Sequence, residues 1–202
     1  MNDVDRFMNY LRRIPGNPSS VQLYRGRDKQ TCLRRENLHR YLSKMRELGP
    51  EILLVGEAPG YKGCGLTGIP FSSERLLAQH PFFAGFQTST DLALVTSESS
   101  ATIVWEGIEG LSKPPLLWNA FPFHPYQGEN VLSNRPPNRE ELRVGKRVLK
   151  RLVRLFPVRT YIAVGQKAAM QLEQMEIPFH AVRHPSFGGK NDFLQGLQKY
   201  LT

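Results

Sequence analysis

Four short apolar runs are spaced along this chain with helix-like segments between them, and that alternation leaves few folds open. The runs are EILLV (51–55), PLLW (115–118), TYIAV (160–164) and FHAV (179–182). Ile52 to Val55 of the first run are apolar without a break rather than at every second residue, as expected of a strand buried on both faces. Helical spacing predicts helices over 73–79, 101–111, 138–156, 166–175 and 191–201. Strands alternating with helices imply a parallel sheet with right-handed crossovers. The predicted fold class is therefore α/β: a three-layer α/β/α sandwich with a central four-stranded, mainly parallel sheet.

Residues 1–50 read differently. Val4, Phe7, Met8 and Leu11 share one helical face, and Pro15 to Ser20 breaks that helix. A second helix is predicted over 34–48, with Leu38, Leu42, Met45 and Leu48 on one face and Gly49-Pro50 ending it. This part is taken as a helical extension packed on a single domain that spans 1–202.

Lys and Arg total 27 against 18 Asp and Glu, a net charge of +9. Such a surplus favours a polyanionic partner, because cations that neutralise phosphates release counterions. The plainer alternative is a basic surface that only keeps the protein in solution. Residues 138–156 pose the same choice, with Arg139, Arg143, Lys146, Arg147, Lys150, Arg151 and Arg154 set against an apolar face. No run of eighteen apolar residues occurs, so no membrane span is expected. The N-terminus has early acids and no apolar core of a signal peptide, and a cytoplasmic location is expected. The only two cysteines, Cys32 and Cys64, form no CxxC pair. They are expected to stay reduced, and they make neither a zinc ribbon nor a four-cysteine iron–sulfur site.

In open parallel sheets the ligand site lies beyond the carboxyl ends of the strands. GEAPG (56–60) follows the first run, leading to TGIPFS (67–72). Asn119 ends the second, followed by AFPFHP (120–125). Gly165-Gln166 follows the third, and Arg183-His184-Pro185-Ser186 the fourth. An acid, a carboxamide, an imidazole and two glycine turns thus converge on one rim.

GEAPG with TGIPF, a strand ending in Asn119, and HPS at 184–186 resemble the motifs of uracil-DNA glycosylases. The form is closest to the branch called family four, and the resemblance covers about residues 51 to 190. It implies monofunctional hydrolysis of the N-glycosidic bond of uracil, or a related deaminated base, in DNA. The partner would be DNA carrying that base, and the protein a monomer. No cofactor is expected: the iron–sulfur cluster of family four needs four cysteines.

The resemblance assigns roles. His184 would donate a neutral imidazole N–H to uracil O2 as negative charge develops there. Asn119 would read the base edge, donating to O4 and accepting from N3–H, a pattern that cytosine cannot match. Phe71 would stack on a base flipped out of the helix. Glu57, the acid of the first motif, would orient water or stabilise the cationic sugar. Ala58 stands where the best-studied branch has its water-activating Asp, and the backbone N–H groups of Ala58 and Gly60 are candidates to hold water or base. For the DNA strand the candidates are Ser72, Ser186, Gly165 and Gln166 at a helix start, Lys190, and Phe187 as an apolar wedge. His124 is left unassigned. Each residue has a plainer alternative: a turn Asn, a core Phe, a strand-capping His, helix-capping serines. Two other functions stay open, a Rossmann-like hydrolase or transferase acting on free nucleotides and a catalytically inactive DNA-binding member of the same fold.

Overall fold

The computed structural model describes residues 2–89 and 95–201. Its centre is a four-stranded parallel sheet built from β2 (Ile52–Gly56), β3 (Leu116–Asn119), β5 (Thr160–Val164) and β6 (His180–Val182). The strand order is β3-β2-β5-β6. Leu53, Leu54 and Val55 point alternately to opposite faces, and all three are fully buried, so both faces of the sheet are covered. This is the predicted α/β class, with strand bounds that shift by no more than one residue.

Helices flank the sheet. They are α1 (Asp3–Arg13), α2 (Lys29–Leu48), α3 (Cys64–Thr67), α4 (Glu74–Gln79), α5 (Ser99–Gly107), α6 (Arg139–Leu155), α7 (Gln166–Glu173) and α8 (Lys190–Gln198). α1 packs on α2 and α6, α7 on β5, and α8 on α5 and β6. Two of these helices open on reciprocal caps: Asn2 with Asp5 before α1, and Asn138 with Glu141 before α6. α6 buries Leu142, Val148, Leu149, Leu152 and Leu155 and turns its cations outward. Arg151 lies over the Tyr10 ring at 3.9 Å. Among the described residues no helix is long and apolar enough to cross a membrane.

α2 starts at Lys29, five residues before the predicted start. Asp28 accepts from the Thr31 N–H and caps it, although the first turn carries none of the apolar spacing that marks the rest. The extension has a definite task. Phe7 of α1 meets Trp118 edge-on at 5.6 Å. Tyr41 of α2 caps the exposed edge of β3, its hydroxyl accepting from the Leu117 N–H at 2.8 Å. Four short elements escaped the sequence: β1 (Ser20–Val21), which pairs antiparallel with β4 (His124–Pro125), the single-turn helix α3, and a 3-10 turn over Pro81–Phe83. A two-residue ribbon has too little periodicity to read.

Candidate active site

The parallel ladder carries the candidate residues to a common rim. Gly56 stands beside Asn119 in register. Backbone bonds continue past the strand ends, from the Ala120 N–H to Gly56 O at 2.8 Å and from the Phe121 N–H to Glu57 O at 3.0 Å. On the far side the Gly165 N–H donates to Val182 O at 3.0 Å. From β3 to β6 the row spans three inter-strand steps, about 14 Å of backbone.

Gly56 is the pivot. A methyl group here would fall 2.7 Å from the Asn119 Oδ1, 2.8 Å from the Phe71 Cε2 and closer still to the Phe71 Cζ. Only a residue without a side chain lets the Phe71 ring and the Asn119 amide meet above the end of β2. Phe71 holds φ +51°, a left-handed conformation that costs a residue with a Cβ about 1–2 kcal/mol. The fold compensates by having Trp105 Nε1–H donate to the Phe71 carbonyl at 2.8 Å. Trp105 is itself packed against Phe82, Phe83 and His80. Phe71 is 9% exposed and Asn119 5%, so both are nearly sealed by their surroundings.

His184 lies two residues beyond β6, with its Cβ 3.4 Å from where a methyl on Gly165 would sit. Its Nδ1 receives the Ser186 backbone N–H at 3.2 Å and lies 2.6 Å from the Ser186 Oγ. A backbone N–H can only donate, so Nδ1 accepts, and a neutral ring carries its proton on Nε2. Burial pushes the His184 pKa down, and the nearby Glu98 carboxylate opposes that only in part. The arrangement therefore favours a neutral imidazole with a free Nε2–H.

Two carboxylates border the rim. Glu57 has its pKa raised by burial, with Lys167 pulling the other way. Glu98 was not singled out from the sequence. It caps α5, accepting from the Ser100 N–H at 3.0 Å and the Ala101 N–H at 2.8 Å, and packs against Gly63. Its sequence signal was its place just before Ser99-Ser100-Ala101, an acid at a helix start.

The remaining candidates divide. Ala58 and Gly60 sit half-buried in the first loop, where Gly60 O accepts from the N–H groups of Gly63 and Gly65. Gly165, at φ +85°, turns the chain from β5 into α7, and Gln166 is exposed at the first position of that helix. Phe187 is 98% exposed at φ +52°. Ser72 is corrected: it is fully buried, its hydroxyl donating to Ile69 O at 2.7 Å with the Thr67 Oγ1 at 2.6 Å. It secures the TGIPF loop and offers nothing to a phosphate. The Ser186 hydroxyl orients His184, and Lys190 pairs with Glu106 at 2.8 Å. His124 is buried between two carbonyls, Pro59 O at 2.8 Å from Nδ1 and Val131 O at 3.0 Å from Nε2.

Cys32 lies in α2 and Cys64 at the start of α3, both as free thiols, and burial pushes the Cys64 pKa up to about 12. Two cysteines, one of them held as a buried neutral thiol, do not fit a four-cysteine cluster. Among the described residues no three His, Cys, Asp or Glu side chains gather as a metal ion would need. A cavity of about 670 Å³ lies away from the rim, between α1 and α2. Several of its polar groups are already paired, as in His39 with Asp5 at 2.9 Å and Asn37 with Thr67 O at 3.0 Å.

Comparison with known proteins bears on the fold and the family. No curated protein matches the chain. Among the solved structures that match is wild-type SMUG2 of Pedobacter heparinus. It is 18% identical with a TM-score of 0.68, the alignment covering 100% of this chain and 96% of that one. At this identity the likeness is one of fold. The family model of the uracil DNA glycosylase superfamily matches residues 44–200, from the end of α2 to the end of α8. The chain belongs to the uracil-DNA glycosylase superfamily.

Proposed function

We propose that this protein hydrolyses the N-glycosidic bond between uracil and deoxyribose in DNA. The observation that carries the reading is the meeting of Phe71 and Asn119 over Gly56, on the rim that holds a neutral His184.

The extruded base would lie on the Phe71 ring. Asn119 would donate to O4 and accept from N3–H. Cytosine presents an amino group and a bare N3 there, and an unpaired buried amide costs about 1–3 kcal/mol per group. As the C1′–N1 bond lengthens, electrons flow into the base and the sugar becomes cationic. His184 Nε2–H then strengthens its bond to O2, where charge accumulates. A cationic His184 would bind O2 in the ground state as well, so a neutral donor that strengthens only in the transition state serves the rate better. Water adds to C1′, its hydroxyl completing the sugar and its proton leaving through Glu57 or solvent to the released base. Glu57 and Glu98 both place negative charge near the cationic sugar. The attacking group in the proposed step is water, and strand cleavage is not part of it.

Uracil release from single- and double-stranded oligonucleotides tests this. Asn119→Ala and His184→Ala should each abolish most of it. One observation favours a second reading, a DNA-binding member without activity: Ala58 occupies the place where a water-activating acid is expected. Binding without release by the unaltered protein is its signature. Activity restricted to free nucleotides is disfavoured by Phe187, whose exposed ring has no use on so small a substrate.

A further inference from the structure

Among the described residues the exposed large hydrophobic side chains are Val131, Leu132, Met170 and Phe187. Phe187 belongs to the loop after β6. Val131 and Leu132, 48% and 67% exposed, belong to a second loop that no motif covers. This loop leaves β4 at Tyr126 and returns at Arg135, and it is built rigidly. At its base Arg135 Nε donates to Tyr126 O at 2.8 Å, and its guanidinium grips Glu141 through two bonds of 2.7 Å. At its tip Ser133 Oγ donates to Asn130 O at 2.6 Å, and the Leu132 N–H donates to Asn130 Oδ1 at 3.0 Å. The backbone is thus bonded internally while the Leu132 side chain projects into solvent.

The loop is also tied to the first motif. His124 bridges Pro59 O and Val131 O, and Asn134 Oδ1 accepts from the Tyr61 N–H at 3.1 Å. The Val131–Leu132 tip therefore stands on the side of the rim nearest Pro59–Tyr61, while Phe187 stands beyond β6. Exposed apolar residues held on ordered tips at both sides of a candidate site are placed to meet a partner that spans it.

We infer that Val131 and Leu132 form a second apolar prong that contacts base pairs beside the extruded nucleotide, on the side of the site opposite Phe187. The inference rests on the reading of the preceding subsection that the site receives DNA. The occupant is duplex DNA because the tip is continuous with the rim, through His124 and Asn134, on a chain of charge +9. The contact is with bases rather than phosphates. The tip carries one acid, Glu129, and the one cation of the loop, Arg135, is committed to Glu141. Apolar side chains act on DNA as wedges between partly unstacked bases.

Fluorescence anisotropy is the test, with a duplex carrying a tetrahydrofuran abasic analogue, the same duplex intact, and the corresponding single strand. Leu132→Ala should weaken abasic-duplex binding about tenfold, as expected for losing most of a buried leucine contact. Its single-strand affinity should stay within about twofold of wild type, and its salt slope should not change, because no phosphate contact is lost. Met170→Ala, another exposed apolar residue, should bind as wild type, and both variants should keep the wild-type Tm. Unchanged abasic-duplex affinity in Leu132→Ala overturns the inference. So does an equal loss on duplex and single strand, or an equal loss in Met170→Ala. Uracil release by the unaltered protein is scored separately. A glycosylase that ignores Leu132→Ala refutes only the prong, and a protein without release that still shows the Leu132 dependence refutes only the enzyme.

Discussion

Replacing Gly56 with alanine adds one methyl group, yet it should disable two base-gripping side chains together. The backbone at Gly56 is ordinary strand, so alanine meets no conformational penalty there. The obstacle is space. The new Cβ would lie 2.7 Å from the Asn119 Oδ1 and nearer still to the Phe71 Cζ, whereas ordinary contact begins at 3.4 Å. Asn119 must retreat by about 0.7 Å and the Phe71 ring by about 1 Å, and misplacements of that size cost on the order of a hundredfold in rate. Each Asn119 hydrogen bond that fails adds about 1–3 kcal/mol. The expected fall in kcat/KM is therefore about 10²–10³, measured as uracil release from a single-stranded oligonucleotide. Overpacking should cost about 1–3 kcal/mol of stability, lowering Tm by about 3–10 °C at this chain length. Assays held well below the variant's Tm separate the two effects. If Gly56→Ala keeps kcat/KM within about threefold of wild type while Tm falls, Phe71 and Asn119 do not act on the base as a pair, and the proposed function loses its support.

Four further outcomes are expected. The burial-lowered pKa of His184 predicts full activity while the ring is neutral and a loss as pH falls through that value, below the ordinary 6.5; a rate that rises on His184 protonation contradicts the donor role. The same shift makes stability complete above 6.5 and lost as pH falls from there towards the folded-state pKa, because the unfolded chain takes the proton first, and urea titrations at several pH values read this out. Glu57→Gln removes a carboxylate whose ionisation burial disfavours, so Tm at neutral pH should hold or rise while kcat falls; equal losses of both point to a structural role. Arg135→Ala leaves Glu141, with a side chain 1% exposed, without its guanidinium partner, and should cost about 3 kcal/mol in urea unfolding.

Glu141 shows what the sequence conveys and what it withholds. Helical spacing over 138–156 predicts the helix that carries it, and α6 begins at Arg139. That the same carboxylate also anchors Arg135, and through it the 126–135 loop, depends on chain segments meeting in space. Ser72 shows the opposite failure. A serine beside a pocket motif reads as a phosphate donor, but the turn from Thr67 to Ser72 folds its hydroxyl inward onto Ile69 O. Glu98 and His124 escaped assignment because neither lies in a motif; one reaches the rim through a helix cap, the other through a strand too short to show a period.

The apolar runs, the glycine turns and the order of the three motifs were enough to determine a parallel α/β sheet with the candidate residues at its strand ends. Burial on both faces demands continuous apolar strands, and that demand is written residue by residue. Tertiary structure alone decided that Phe71 meets Asn119 over Gly56, that Ser186 turns the His184 proton to Nε2, and that Leu132 stands exposed beside the first motif. The first and last depend on how segments far apart in the chain meet, and the second on the backbone turn after β6; local patterns of polarity carry no information about either.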